Sequence, residues 1–166
     1  GWESIIPYTS VEMDEVKTLV QDAIFSRSPS ASKRTGIFFG GRDCHMAMEM
    51  LDEAKKAMVP PFEISVFADP SGAFTTAAGM VAVTEKALKE KFNLSLADVK
   101  IAILGGTGPV GVVSAVITAK AGADVYIVGR NPEKTEKVVS LCNDRYGLKN
   151  IKVGNDGEKE SLLSDT

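Results

Sequence analysis

Apolar and polar positions along this chain change period several times, and each change marks an element. Val16, Leu19, Val20, Ala23 and Ile24 recur near helical spacing behind Thr9 and Glu12, whose separation fits a capping box, so a first helix is predicted there. The short apolar run Gly36-Ile37-Phe38-Phe39 reads as a strand that turns at Gly40-Gly41-Arg42-Asp43 into a helix with Met46, Met50, Leu51 and Ala54 on one side. Pro60-Pro61 break that helix, Phe62 to Ala68 alternate as a strand does, and Asp69-Pro70-Ser71-Gly72 supply the turn into a helix from about Phe74 to Lys91. Asn93 to Asp98 forms a polar joint. Beyond it, Val99 to Leu104 reads as a buried-type strand that runs into Gly105-Gly106-Thr107-Gly108-Pro109-Val110-Gly111. A helix is predicted from about Pro109 to Ala121 and a buried strand from Ala123 to Val128. Asn131 and Pro132 then cap and start a helix to about Tyr146, and a third strand opens at Ile151 to Val153.

Strands and helices alternating in this way argue for an α/β fold with a mostly parallel sheet. The expected organisation is an N-terminal α/β domain over residues 1–95, followed over 96–166 by the first half of a Rossmann-type domain. The chain opens on Gly1-Trp2 and stops in the polar stretch Asn155 to Thr166, where another strand would be expected, which gives the expectation of a fragment.

Composition narrows the function classes. With 166 residues, 44% of them hydrophobic, there is enough apolar surface for a packed core. The 19 Lys and Arg against 22 Asp and Glu give a net charge of −3 with no basic block, so nothing points to nucleic acid. No apolar run reaches the roughly 18 residues that cross a bilayer, and no signal sequence opens the chain, so no membrane role is expected. Cys44 and Cys142 lie far apart without CxxC spacing and His45 is the sole histidine, so neither a disulfide framework nor a metal site is expected and a reducing cytoplasm is the default.

The glycine motif carries the chemistry, because it follows a predicted strand and opens a predicted helix. Gly106 would allow the tight turn, Gly108 would let the backbone approach a pyrophosphate, and Gly111 would let helix and strand pack closely. The helix start spanning Thr107, Pro109 and Val110 would then turn its backbone N–H groups and its positive end to the phosphates. At the end of the next strand, where an NAD enzyme usually offers an acid to the ribose, the sequence reads Val128-Gly129-Arg130-Asn131-Pro132-Glu133-Lys134. Gly129 would leave room for a 2′-phosphate, Arg130 can fork onto it and Lys134 can add charge one helical turn on, which points to NADP as cofactor.

Other residues suit structural roles. Asp43 fits a helix cap, Cys44 a buried small residue, and Met46, Met48, Met50 and Met58 core or subunit packing. His45 stands at a strand-to-helix turn, where catalysis and a structural role are both open. The Asp69 to Thr76 run joins a strand end to a helix start, where ligands of open α/β sheets sit, which makes Asp69, Ser71, Thr75 and Thr76 candidate substrate residues beside the alternative of a helix cap.

Three motifs in order, Phe39-Gly40-Gly41-Arg42-Asp43, the run ending Thr75-Thr76-Ala77-Ala78-Gly79, and the glycine loop followed by Gly129-Arg130, resemble one family. The chain is similar to NADP-dependent methylene-tetrahydromethanopterin dehydrogenases over about residues 8 to 147. That resemblance implies oxidation of the methylene bridge of a tetrahydropterin carrier to the methenyl form with hydride passing to NADP, in one-carbon metabolism; some members also accept tetrahydrofolate. It further implies a pterin cleft between an N-terminal α/β domain and a Rossmann domain, assembly as a homo-oligomer, and cofactor contacts at Thr107 to Gly111, Arg130 and Lys134. No catalytic residue is assigned, because ring nitrogen lone pairs stabilise the cation that hydride leaves behind. Ser71 and Phe74 depart from the family pattern, which keeps open a related NADP oxidoreductase on another substrate. A non-catalytic NADP-binding module is the third reading.

Overall fold

The computed structural model describes residues 4–154. The chain divides into two compact units, Gly1–Pro70 and Ser71–Thr166, and parallel strands joined by helices build each of them, as the alternating pattern predicts.

In the first unit a 3-10 turn, Met13–Glu15, leads into helix α1, Val16–Phe25. The capping box belongs to Glu12 and Glu15, not to Thr9 and Glu12: Glu12 holds the extended backbone directly before the turn, and its N–H donates to Glu15 Oε2 at 2.8 Å. The predicted stripe is correct, with Val16, Val20 and Ile24 buried. A short helix α2, Pro29–Ser32, escapes the hydrophobic pattern because it has no apolar stripe; Ser28 caps it and the buried Ser32 hydroxyl donates to the Pro29 carbonyl at 2.8 Å.

Strand β1, Gly36–Phe39, pairs in parallel with β2, Ser65–Ala68, and helix α3, Cys44–Lys56, connects them. The second strand is shorter than its alternation suggests, because Val59 and Phe62 bond to each other around Pro60-Pro61 before it begins. The buried face of α3 is Cys44, Ala47, Met50 and Ala54: Met50 and Ala54 are buried as predicted, but Cys44 and Ala47 complete the face while Met46 and Leu51 are only half-buried.

The second unit begins with helix α4, Ala73–Phe92, which Asn93 closes in the left-handed conformation at φ 55°. In the joint that follows, the Ser95 hydroxyl and N–H donate to Asp98 Oδ2 at 2.6 and 2.9 Å, and these bonds hold the Asp98 carboxyl below its ordinary pKa. Strand β3, Lys100–Leu104, helix α5, Pro109–Lys120, strand β4, Asp124–Val128, helix α6, Pro132–Tyr146, and strand β5, Ile151–Gly154, complete the unit. All three strands are parallel in the order β3-β4-β5, with Leu104 beside Val128 and Val128 beside Gly154. In this unit the helix and strand limits fall within a residue or two of those the sequence predicts.

Burial separates the strands. Central β4 inserts Val125, Ile127 and Val128 into the core, whereas β3, expected to be buried, is only half covered and Leu104 is 62% exposed. Among the described residues β3 pairs with β4 alone, so its apolar side chains lack a neighbour on the other edge. Asn150 ties the layers together by donating to the Ala119 and Ala123 carbonyls at 2.8 and 2.7 Å, joining the end of α5 to the start of β4. No described helix is long and apolar enough to cross a membrane.

Because Ile127 is fully buried in the central strand, Ile127→Ala is expected to cost about 2–5 kcal/mol in urea denaturation, and Leu104→Ala far less.

Candidate nucleotide-binding site

Strand β3 ends at Leu104, and the chain must reverse within a few residues to start α5 at Pro109. Gly105 makes this possible by adopting φ +69°, so the left-handed position is the first glycine of the run and not Gly106. Gly106 answers to crowding: a Cβ there would stand 2.8 Å from the Ile103 carbonyl oxygen and 2.8 Å from a methyl of Ile127. Gly111 has the same reason in stronger form, since its Cβ would lie 2.6 Å from Gly106 Cα. Helix α5 therefore rests backbone on backbone against the loop, the close packing the sequence spacing predicts for Gly111.

Gly108 differs from both. The nearest atom to a Cβ at this position is the Gly105 carbonyl oxygen, an ordinary contact at 3.6 Å, and the backbone has extended angles that any residue adopts. Packing does not require glycine here. What a side chain would fill is the space over the start of α5, where the backbone of residues 108–111 can approach a ligand.

The end of α5 at that space has no side-chain cap, whereas Asp43 Oδ1 caps α3 by accepting from the N–H groups of His45 and Met46 at 2.9 and 3.0 Å, and Asn131 Oδ1 caps α6 by accepting from the Lys134 N–H at 3.0 Å. The positive end of α5 is thus left for an anion, and a phosphate has the charge and oxygens to meet it. Helix α4 starts behind Ser71 and Gly72, both left-handed at φ 54° and 66°.

The second half of the site is the end of β4. The Gly106 N–H donates to the Val128 carbonyl at 3.1 Å, which brings the glycine loop against the turn Gly129-Arg130-Asn131. Gly129 was expected to be glycine for the sake of a ligand phosphate. The structure gives a reason within the protein: a Cβ there would lie 2.5 Å from Thr135 Oγ1 and 2.8 Å from Thr107 Cγ2. Arg130 and Lys134 are exposed, on the turn and in the first turn of α6. Thr107 and Pro109 to Gly111 are partly exposed beside them, so the loop and the cationic turn share one edge of the sheet.

Of the substrate candidates, Asp69 closes β2, where its N–H donates to the Phe39 carbonyl at 3.2 Å. Ser71 forms the left-handed turn, and Thr75 and Thr76 lie in the first turn of α4, exposed, with the Thr75 hydroxyl reaching the Gly72 carbonyl at 3.4 Å. Asp43 caps α3 as predicted, Cys44 and Met50 are buried, and the other methionines of that helix are half-buried. The described residues bring no three His, Cys, Asp or Glu side chains together as a metal site.

Sequence reasoning missed Gly105 and Thr135. Thr135 is 1% exposed and lines the inner face of α6 with Val139 and Cys142; its helical spacing from those two apolar residues was the available signal.

Residues 1–71 match the family described as methylene-tetrahydromethanopterin dehydrogenase, N-terminal. Over 149 residues the chain is 48% identical to the NAD(P)-dependent methylenetetrahydromethanopterin dehydrogenase of Methylorubrum extorquens, covering 89% of this chain and 50% of that protein. The bifunctional protein MdtA of the same organism is 34% identical over 146 residues, 88% of this chain and 49% of its own length. The chain spans about half the length of these relatives. A solved L-tryptophan dehydrogenase from Nostoc punctiforme aligns over 91% of this chain and 38% of its own at 16% identity and a TM-score of 0.41, too loosely to carry an argument.

Alanine at two of the glycines separates packing from binding. Gly111→Ala, whose Cβ meets backbone, is expected to lower stability by about 1–3 kcal/mol or more in thermal or urea unfolding. Gly108→Ala is expected to unfold like the parent yet to lose affinity for a dinucleotide in a binding titration.

Proposed function

Since the chain is homologous to methylene-tetrahydromethanopterin dehydrogenases along nearly its whole length, as its three motifs lead one to expect, we propose that it belongs to an enzyme of that activity. The enzyme passes a hydride from the methylene group of methylene-tetrahydromethanopterin, or of methylene-tetrahydrofolate, to NADP and leaves the methenyl form. The observation that carries this reading is the meeting of the glycine loop with the Arg130 turn through the bond from Gly106 to Val128. It sets the uncapped start of α5 and the turn that carries Arg130 side by side at one edge of the sheet, which supports reading them as one nucleotide site.

In the mechanism we infer, bound NADP supplies the hydride acceptor, and the protein supplies binding and alignment. The backbone of Gly106, Thr107, Gly108, Pro109, Val110 and Gly111 cradles the pyrophosphate. Arg130 forks onto the 2′-phosphate, which a lysine could meet only as a point charge, and Lys134 adds a second positive charge. Asp69, Ser71, Thr75 and Thr76 are the residues we propose for the pterin side. No acid or base of the chain is required at the reacting carbon, because the substrate's own nitrogen lone pairs spread the developing charge. What the protein must do is hold two rings in contact and keep water out, which is where rate is gained when a reaction needs little proton transfer.

In this division of labour residues 1–95 serve the pterin side and 96–166 form the first half of a Rossmann-type NADP domain, with α4 carrying substrate residues at its start while its side packs on α5. We propose a homo-oligomer working in the cytoplasm, a setting that two buried, unbridged cysteines suit.

Calorimetric titration tests the cofactor half of the reading. NADP is expected to bind at least about tenfold more tightly than NAD, roughly 1.4 kcal/mol, and Arg130→Ala to abolish that preference. Equal affinities in the parent chain would overturn it. The substrate half is tested by hydride transfer in the whole protein, with methylene-tetrahydromethanopterin expected to support NADP reduction.

A further inference from the structure

Two threonines from separate elements converge on the backbone of Gly129. Gly129 ends the run from β4, Thr107 belongs to the glycine loop, Thr135 comes from the first turns of α6, and the space a Gly129 side chain would need is taken by the Thr135 hydroxyl and the Thr107 methyl. Thr135 is almost wholly buried although it has a hydroxyl, and that hydroxyl donates to the Asn131 carbonyl at 2.8 Å. The same carbonyl also accepts from the Thr135 backbone N–H at 3.0 Å, and the Asn131 side chain accepts from the Lys134 N–H at 3.0 Å. Three hydrogen bonds from the start of α6 therefore end on Asn131, the residue directly after Arg130. On its other side Arg130 follows Gly129, whose position is set by contact with Thr107 and Thr135.

We propose that Thr135 is a positioning residue for nucleotide selectivity: its hydroxyl and its contact with Gly129 fix the turn that aims Arg130, and through Thr107 they set that turn against the glycine loop. The inference rests on the NADP reading above and goes beyond it, since Thr135 is buried behind the turn and would act only through its neighbours. A flexible arginine on a loose turn would meet a 2′-phosphate in many geometries and lose most of the gain to ordering. A turn clamped from both sides fixes the direction in which the Arg130 side chain leaves the backbone. The buried threonine accounts for this better than for stability alone, because the Asn131 carbonyl keeps its backbone partner when the hydroxyl is gone.

The test compares Kd for NADP and for NAD in the parent chain, Thr135→Val, Thr135→Ser, Arg130→Ala and the Arg130→Ala/Thr135→Val pair, with unfolding followed in parallel. Thr135→Val keeps the shape and removes the hydroxyl, so the NADP preference is expected to fall by about fivefold while NAD affinity stays within about twofold. Thr135→Ser restores a hydroxyl and is expected to restore the preference. In the Arg130→Ala background the valine is expected to change the ratio no further, because the two residues act through one contact. Should Thr135→Val fail to fold, Thr135→Ala removes the same hydroxyl without steric burden and carries the same expectation. Equal weakening of both nucleotides, or an unchanged ratio, would overturn the assignment of Thr135 and leave the NADP reading intact. A parent chain indifferent to the two nucleotides would overturn both.

Discussion

Helix α5 begins where it does because backbone touches backbone. With no side chain on Gly111 or Gly106, the first turn of the helix lies on the loop that ends β3, at a separation no Cβ would tolerate. Everything at this edge of the sheet follows from that contact. It fixes the direction of α5, whose inner side is then buried along most of its length through Val112, Ala115, Val116 and Ala119. It aims the uncapped end of the helix over the strand ends, and it holds Gly106 where its N–H can bond to Val128 on the neighbouring strand. A parallel sheet leaves the carboxyl ends of its strands on one side, and two close backbone contacts shape the side on which we propose that phosphate binds.

Within the second unit, then, glycines of the same run meet different structural demands. Gly106 and Gly111 serve the fold, Gly105 serves the reversal of the chain, and Gly108 leaves room above the helix start that the fold does not use. The cationic turn follows the same logic, since Gly129 is packed between two threonines while Arg130 stands in solvent on the next residue. The chemistry proposed for the protein suits such a design. When the substrate stabilises its own developing cation, rate depends on how firmly both partners are held, and rigid elements with short turns hold them better than mobile loops do.

Much of this was legible in the sequence because local signals and tertiary structure agree. Asn131 and Pro132 mark the start of α6 and Pro109 the start of α5, each a capping or first-turn residue doing what its side chain favours. The apolar residues of β4 sit at the centre of its sheet, and the stripe of α1 is buried as its period requires. What was not legible depends on neighbours distant in sequence. No spacing rule says that Gly105 rather than Gly106 takes the left-handed angle, that Gly129 yields to Thr135 and Thr107, or that Cys44 and Ala47 rather than Met46 and Leu51 complete the buried face of α3. The half-exposure of β3 is of the same kind: an apolar strand looks buried in a sequence whether or not a second neighbour is at hand. The capping box of the first turn was misplaced because two spacings fit, and only the extended backbone at Glu12 decides between them.

The central claim is that the glycine loop and the Arg130 turn form a single site for a nucleotide bearing a 2′-phosphate. Titration of isotopically labelled protein with adenosine 2′,5′-bisphosphate, followed by amide chemical shifts, tests it most directly. The account predicts that the amides of Thr107, Gly108, Val110 and Gly111 move together with those of Arg130 and Lys134 and saturate along one binding curve. Shifts confined to one of the two segments, or a response elsewhere in the chain with both silent, would contradict it.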